Sequence, residues 1–144
     1  MSDREPVLGN KPWSERYTYV PALRVGNTVW ISGTTGTDET GQITDPGNIV
    51  EQTRVIFRKF ENLLQSIGSG CEDIVSTTDF FTSTENYKLT GAVRREFFRG
   101  NRPASTGVLV SGLLRTGAVI EISAVAMLRD FQSPDSARAN VTSQ

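Results

Sequence analysis

The 144 residues predict an α+β fold, one mixed β-sheet with two helices packed on one face. Three observations carry this. Segments rich in β-branched and aromatic residues come in pairs at both ends of the chain, two stretches of helical spacing lie between them, and the resulting order β-β-α-β-α-β-β lacks the strict alternation of a doubly wound nucleotide fold. The size fits a single domain: 37% hydrophobic and 22% charged residues make an ordinary globular composition. At this length about two-thirds of the unfolded chain's surface can be buried, enough for one core without disulfides or metal.

Residues 1–16 contain Pro6, Gly9-Asn10 and Pro12 with scattered apolar residues, and predict an extended arm with Trp13 as its anchor. The domain proper is expected over 17–130. Tyr17–Val25 and Thr28–Gly33 read as strands joined at Gly26-Asn27, a two-residue hairpin turn. Thr34–Asn48 reads as a loop with a short strand around Gln42–Thr44. From Ile49 to Ile67 the apolar residues Ile49, Ile56, Phe60, Leu63 and Ile67 share one helical face, with Arg54, Arg58, Glu61 and Gln65 largely elsewhere. Gly68 ends this helix. Asp73–Thr82 is a strand, Ser83 or Thr84 caps a second helix over Glu85–Phe98, and Val93 and Phe97 are its buried face. Ala104–Val110 and Val119–Leu128 are the last strands, separated by a turn at Arg115-Thr116-Gly117, and 131–144 is a polar tail without periodicity, expected to be disordered.

The chain has no histidine, which excludes Ser-His-Asp and Cys-His catalysis and, with Cys71 as the single cysteine, any zinc or iron site built on nitrogen and sulfur ligands within one chain. The acidic residues Asp38, Glu39 and Asp45 lack the spacing and terminal Glu of an EF-hand loop, so no metal site is expected. The lone thiol fits a reducing compartment and reads as a small strand-start residue, because no flanking Lys or Arg would lower its pKa. Fifteen basic against sixteen acidic residues, with no like-charge block, disfavour a nucleic-acid partner. The longest nearly apolar run, Ala118–Leu128, is interrupted by Glu121 and Ser123 and too short to span a bilayer, so no membrane association is expected and the protein is read as cytoplasmic. The glycines of Ser32-Gly33-Thr34-Thr35-Gly36 enter a loop rather than open a helix, so they do not form a phosphate-binding turn.

Five segments, in this order and spacing, resemble the RidA/YjgF family of reactive-intermediate deaminases: Gly26-Asn27-Thr28-Val29-Trp30-Ile31-Ser32-Gly33, Gln52-Thr53-Arg54, Asp73-Ile74-Val75, Arg102-Pro103-Ala104-Ser105-Thr106, and Ile120-Glu121-Ile122-Ser123-Ala124-Val125-Ala126. The match runs from about Tyr17 to Leu128. This resemblance implies a chorismate-mutase-like sandwich assembled as a homotrimer, small-molecule sites in the clefts between subunits, no cofactor, and hydrolysis of enamines and imines to keto acids and ammonia. Such chemistry suits a chain without histidine, because an imine is already electrophilic and needs only a placed water and a proton shuttle.

By the same resemblance Glu121 is the acid/base and Tyr19 its catalytic partner, with Ser32 as a polar contact. Spacing alone leaves Glu121 equally compatible with partial burial in an apolar strand and with the solvated face of an edge strand. Tyr19 by composition is a half-buried packing residue, and Trp30 a core or cleft-wall residue. The pattern breaks at Ser105, where typical members of the family carry a carboxylate-gripping arginine, and at Gly107 and Gly91, where a thiol and an asparagine are usual. Losing such an arginine removes a charge-assisted pair worth about 1.5–3 kcal/mol. Arg102, Arg24 and Arg115 are candidate substitutes, Ser105, Thr106 and Arg102 are expected to contact substrate, and small residues at 91, 105 and 107 are expected to enlarge the cleft. Two other readings stay open: a dehydration or tautomerisation in a specialised pathway, and a non-catalytic trimer that binds a metabolite or partner protein.

Overall fold

The computed structural model describes residues 3–129; the tail expected at 131–144 lies outside the described residues. Six strands, β1 (Arg4–Val7), β2 (Ala22–Val25), β3 (Thr28–Thr35), β4 (Ile74–Phe81), β5 (Ala104–Leu109) and β6 (Ile120–Met127), form one sheet in the order β1-β2-β3-β6-β4-β5. Only the β4–β5 pair is parallel, because α2 (Thr90–Phe98) forms the crossover between them. The other neighbours are antiparallel, and the mixed sheet with its two helices is the α+β architecture expected.

Alternation along β6 sets the two faces of the sheet. Ile120, Ile122, Ala124 and Ala126 are buried beneath the helices, whereas Glu121, Ser123, Val125 and Met127 point to the opposite, open face. Helix α1 (Ile49–Gln65) is capped by Asn48, whose side chain accepts from the Glu51 N–H, and buries Ile56, Phe57, Phe60 and Leu64 completely. Burial of each such side chain contributes about 1.5–3 kcal/mol. Phe57 meets Phe60 and Phe98 edge-on, which locks α1 to α2.

Several boundaries move for identifiable reasons. Residues 4–7, within the stretch expected to be an extended arm, form strand β1 beside β2 and bury Val7. Between Tyr17 and Pro21 no strand forms: the carbonyls of Val20 and Pro21 are taken by the Ser32 hydroxyl and the Ser32 N–H, at 2.7 and 2.9 Å, and Pro21 has no N–H to pair. The short strand near Gln42–Thr44 reduces to a bridge between Thr37 and Ile43. The second helix starts late, at Thr90, after a left-handed Asn86 and a 3-10 turn over Tyr87–Leu89. Ser83 accepts from the Glu85 N–H but caps no α-helix.

Glu61, expected away from the buried face, is buried; its carboxylate accepts from Arg99 at 3.0 Å and from the Cys71 N–H at 3.1 Å. Burial disfavours its charge, but these donors more than offset that and hold its pKa below the ordinary value. Cys71 is fully buried just before β4, and burial beside Glu61 pushes its thiol pKa up, so it packs as a small inert residue. No described helix is long and apolar enough to cross a membrane.

Candidate active site

The candidate residues fall into two groups on opposite sides of the sheet. The first lies on the open face at the β3–β6 pair. Register runs from Ile31 opposite Ala124 to Thr34 opposite Ile122, so Ser32 and Gly33 share a β-bulge opposite Ser123. The bulge turns the Gly33 backbone toward Glu121: a Cβ placed on Gly33 would stand 2.8 Å from Glu121 Oε2. Only glycine leaves the carboxylate that space. Glu121 is half-buried, with Phe80 opposite it on β4, and makes no hydrogen bond or ion pair with any described residue. Of the two readings that spacing left open, the structure gives the partly buried one, since β6 is central in the sheet and not an edge.

Beside the bulge a cavity of about 610 Å³ is lined by Tyr17, Tyr19, Val20, Trp30 and Ser32 among others. Trp30 is 54% exposed, a wall of this cavity and not core. Tyr19 is 51% exposed and its ring packs with Trp13 and Tyr17 at 5.4 and 5.5 Å between centroids, while Trp13 Nε1 donates to the Tyr19 carbonyl at 2.8 Å. The Tyr19 hydroxyl has no partner among the described residues. Because Ser32 Oγ donates to Val20, its lone pairs are what remain for a ligand. Ser32 thus links the two features, lining the cavity with Tyr19 and sharing the bulge with Gly33, whereas Glu121 does not line the cavity.

The second group lies on the helix side at the outer strand β5. Ser105 stands opposite the buried Thr77, whose hydroxyl donates to it at 3.4 Å, and faces a cavity of about 520 Å³ with Arg102, Arg94 and Arg95. Thr106, paired with Thr78, points to the open face and does not share the Ser105 cavity. Of the three candidate substitutes for the arginine, only Arg102 reaches Ser105's surroundings. Arg24 Nε is turned to the Gly26 carbonyl at 3.0 Å and Arg115 Nη1 to the Gly41 carbonyl at 3.1 Å, both elsewhere.

The expected enlargement fails at Gly107. A Cβ there would meet the Phe81 ring at 3.1 Å and the Tyr87 hydroxyl at 3.5 Å, so aromatic rings already occupy that space, whereas the space beside Gly91 is open to 3.9 Å. Tyr87 is held by Asp79, a fully buried carboxylate that accepts from its hydroxyl at 2.5 Å and pairs with Arg94 at 2.8 Å. Burial and this hydrogen bond push the Tyr87 pKa to about 12. Sequence reasoning missed Asp79, Tyr87 and Arg94, for their spacing resembles ordinary strand and helix positions; a lone Asp in the apolar strand 74–81 was the available signal.

Comparison with known proteins bears on the family and the fold. Residues 10–128 match the family described as Endoribonuclease L-PSP. The chain is 32% identical, over 75% of its length and 85% of the relative's, to the 3-aminoacrylate deaminase RutC of Acinetobacter baylyi. It superposes on Rv2704 of Mycobacterium tuberculosis, a member of the YjgF/YER057c/UK114 family, with a TM-score of 0.71 and 29% identity over 87% of this chain and 99% of that one. The Rid-family protein YyfA of Yersinia pestis gives a TM-score of 0.77 and 26% identity over 87% and 99%. These matches make the chain a member of the RidA/YjgF family.

Proposed function

We propose that this chain hydrolyses small imines or enamines, releasing a carbonyl compound and ammonia, with Glu121 as the acid/base. The observation that carries this is a half-buried carboxylate with no partner among the described residues, set over Gly33 in the bulge that also holds Ser32. The likeness to a 3-aminoacrylate deaminase supports it.

In this reading an enamine is first protonated on carbon to the iminium. The water oxygen bonds to the iminium carbon while Glu121 takes one water proton, and the carboxyl returns that proton to the carbinolamine nitrogen. As the C–N bond breaks the hydroxyl oxygen forms the C=O bond, its proton passes to the carboxylate, and ammonia carries that proton away. Placement of the water is the larger part of the catalysis, because the imine carbon needs no further activation. The Ser32 oxygen accepts from an iminium N–H or the water, and the Tyr19 hydroxyl supplies a donor. Thr106 and Ser105 lie on opposite faces of β5, so one chain does not gather every candidate. We place the complete site between copies in a homotrimer, Arg102 and Ser105 of one chain meeting Glu121 of its neighbour. Exposed Trp30, Val75, Val108 and Met127 on the sheet support burial of the open face by another copy.

Ser105 in place of an arginine favours a second reading, a trimer that binds a metabolite without turning it over. One experiment separates them: ammonia and keto-acid release from imino acids generated in place, with semicarbazide competing for free imine. Release faster than the uncatalysed rate supports the hydrolase, and folded protein that gives none supports the binder.

A further inference from the structure

We infer that the cavity between α2 and β5 is a binding site for a compact dianionic oxyanion, a phosphate ester or a dicarboxylate, held by Arg95 and Arg102. Its charge balance is the argument. Three guanidinium groups, Arg94, Arg95 and Arg102, line one space of about 520 Å³, and no Asp or Glu of the described residues lines it. Arg94 is neutralised by the buried Asp79 and immobilised between aromatic faces, its guanidinium carbon 5.5 Å from the Phe57 ring centre and 5.6 Å from that of Tyr87. Its Nη2 is buried and, though 2.8 Å from Asp79, out of line for a hydrogen bond. Arg95 and Arg102 have no hydrogen-bond or ion-pair partner among the described residues, so within one chain about two uncompensated positive charges face this cavity, and at most one of them is met by the neighbour's Glu121 in the assembly proposed above.

The remaining polar groups also suit an anion. Thr77 donates to Ser105 Oγ, which leaves the Ser105 hydroxyl proton for a ligand. Asn101 spends its amide N–H on the Ile74 carbonyl and thereby fixes the turn that carries Arg102. Left-handed backbone at Arg99 and Gly100 makes that turn tight enough to bring α2 and β5 to the same opening. Two forked guanidinium groups match an oxyanion of charge two better than a single carboxylate.

The cavity shares Arg102 and Ser105 with the site between copies proposed above and to that extent rests on that reading, but binding is read without turnover, so the two can fail separately. The test is calorimetric titration of the full chain with inorganic phosphate and, separately, malonate, at low salt. One saturable site per chain is expected, weakened at least about tenfold in Arg95→Ala and in Arg102→Ala. Arg58→Ala, which removes the same charge from an exposed position on α1, is expected to leave it unchanged. Both cavity arginines are exposed, and thermal melts confirm that each variant is folded. Tighter phosphate identifies a phosphate-bearing ligand, and tighter malonate a dicarboxylate. No saturable binding of either anion, or equal weakening by Arg58→Ala, overturns the inference.

Discussion

Glu121 lies over the bare backbone of Gly33: its Oε2 stands 2.8 Å from where a Cβ on that residue would be. A bulge in the neighbouring strand therefore creates the space that a half-buried carboxylate occupies, and the absent side chain at 33 is as much a part of the candidate site as the carboxylate itself.

Two substitutions follow from that pairing. Glu121→Gln is expected to lower imine hydrolysis by about 10²–10⁴-fold, the usual range for a positioned acid/base, with the thermal midpoint little changed. Gly33→Ala puts a methyl group where the carboxylate sits, so the flexible end of Glu121 must move; turnover should fall while the protein stays folded. Wild-type rates in both variants, measured as ammonia release, would remove this pair from the mechanism.

The Asp79–Arg94–Tyr87 network makes a separate claim about stability. Asp79→Asn leaves Arg94 without its counter-charge in a buried site and should cost about 3–5 kcal/mol in urea unfolding. Tyr87→Phe loses only the hydrogen bond to the carboxylate and should cost about 1.5–3 kcal/mol.

Tyr87 also sets an alkaline limb. The folded protein keeps its phenol proton up to about 12, against 10.0 for an ordinary tyrosine, so between those values the folded state binds more protons than the unfolded. Its stabilising contribution is complete below pH 10 and declines toward pH 12. Tyr87→Phe should flatten this decline in denaturation curves taken over that window.

Lys59 contributes with the opposite sign. Burial, with the positive charges of Lys11 and Arg115 adding to it, lowers its pKa from 10.5 to about 8, although Nζ still donates to the Thr35 carbonyl at 2.8 Å. Between pH 8 and 10.5 the unfolded chain binds the extra proton, so this group's contribution to stability rises with pH there. Lys59→Met should remove that rise, as read from the pH dependence of the denaturation midpoint.

Acid should act through Glu61. Its carboxyl is held below the ordinary value of 4.5 by Arg99 and Cys71, in spite of burial, so its contribution is present above that value and is lost as pH falls through the folded pKa. Glu61→Gln should lose about 1–3 kcal/mol at neutral pH and show a shallower acid transition than wild type.

Legibility varied with the range of the interactions. The hairpin turn at Gly26-Asn27, the helix from Ile49 and the apolar alternation of β6 are local patterns, and they lie where the spacing puts them. Strand β1 gave no such signal, because Arg4–Val7 carries two charges and a proline and is set beside β2 by backbone pairing rather than by an apolar pattern. The late start of α2 escaped as well, since it depends on Tyr87 reaching across to Asp79, eight positions earlier.

By itself the sequence determined the α+β class, the strand that carries Glu121 and the exclusion of histidine-based chemistry, all of which follow from composition and short-range periodicity. Only the tertiary structure decided that Glu121 sits in a central strand against Gly33, that Ser105 and Thr106 face opposite ways, and that Arg94, Arg95 and Arg102 share one cavity. The reason is physical. Alternation says that neighbouring residues point to different sides, but which side lies beneath the helices, and which distant charge waits there, is set by register and packing between segments far apart in the chain.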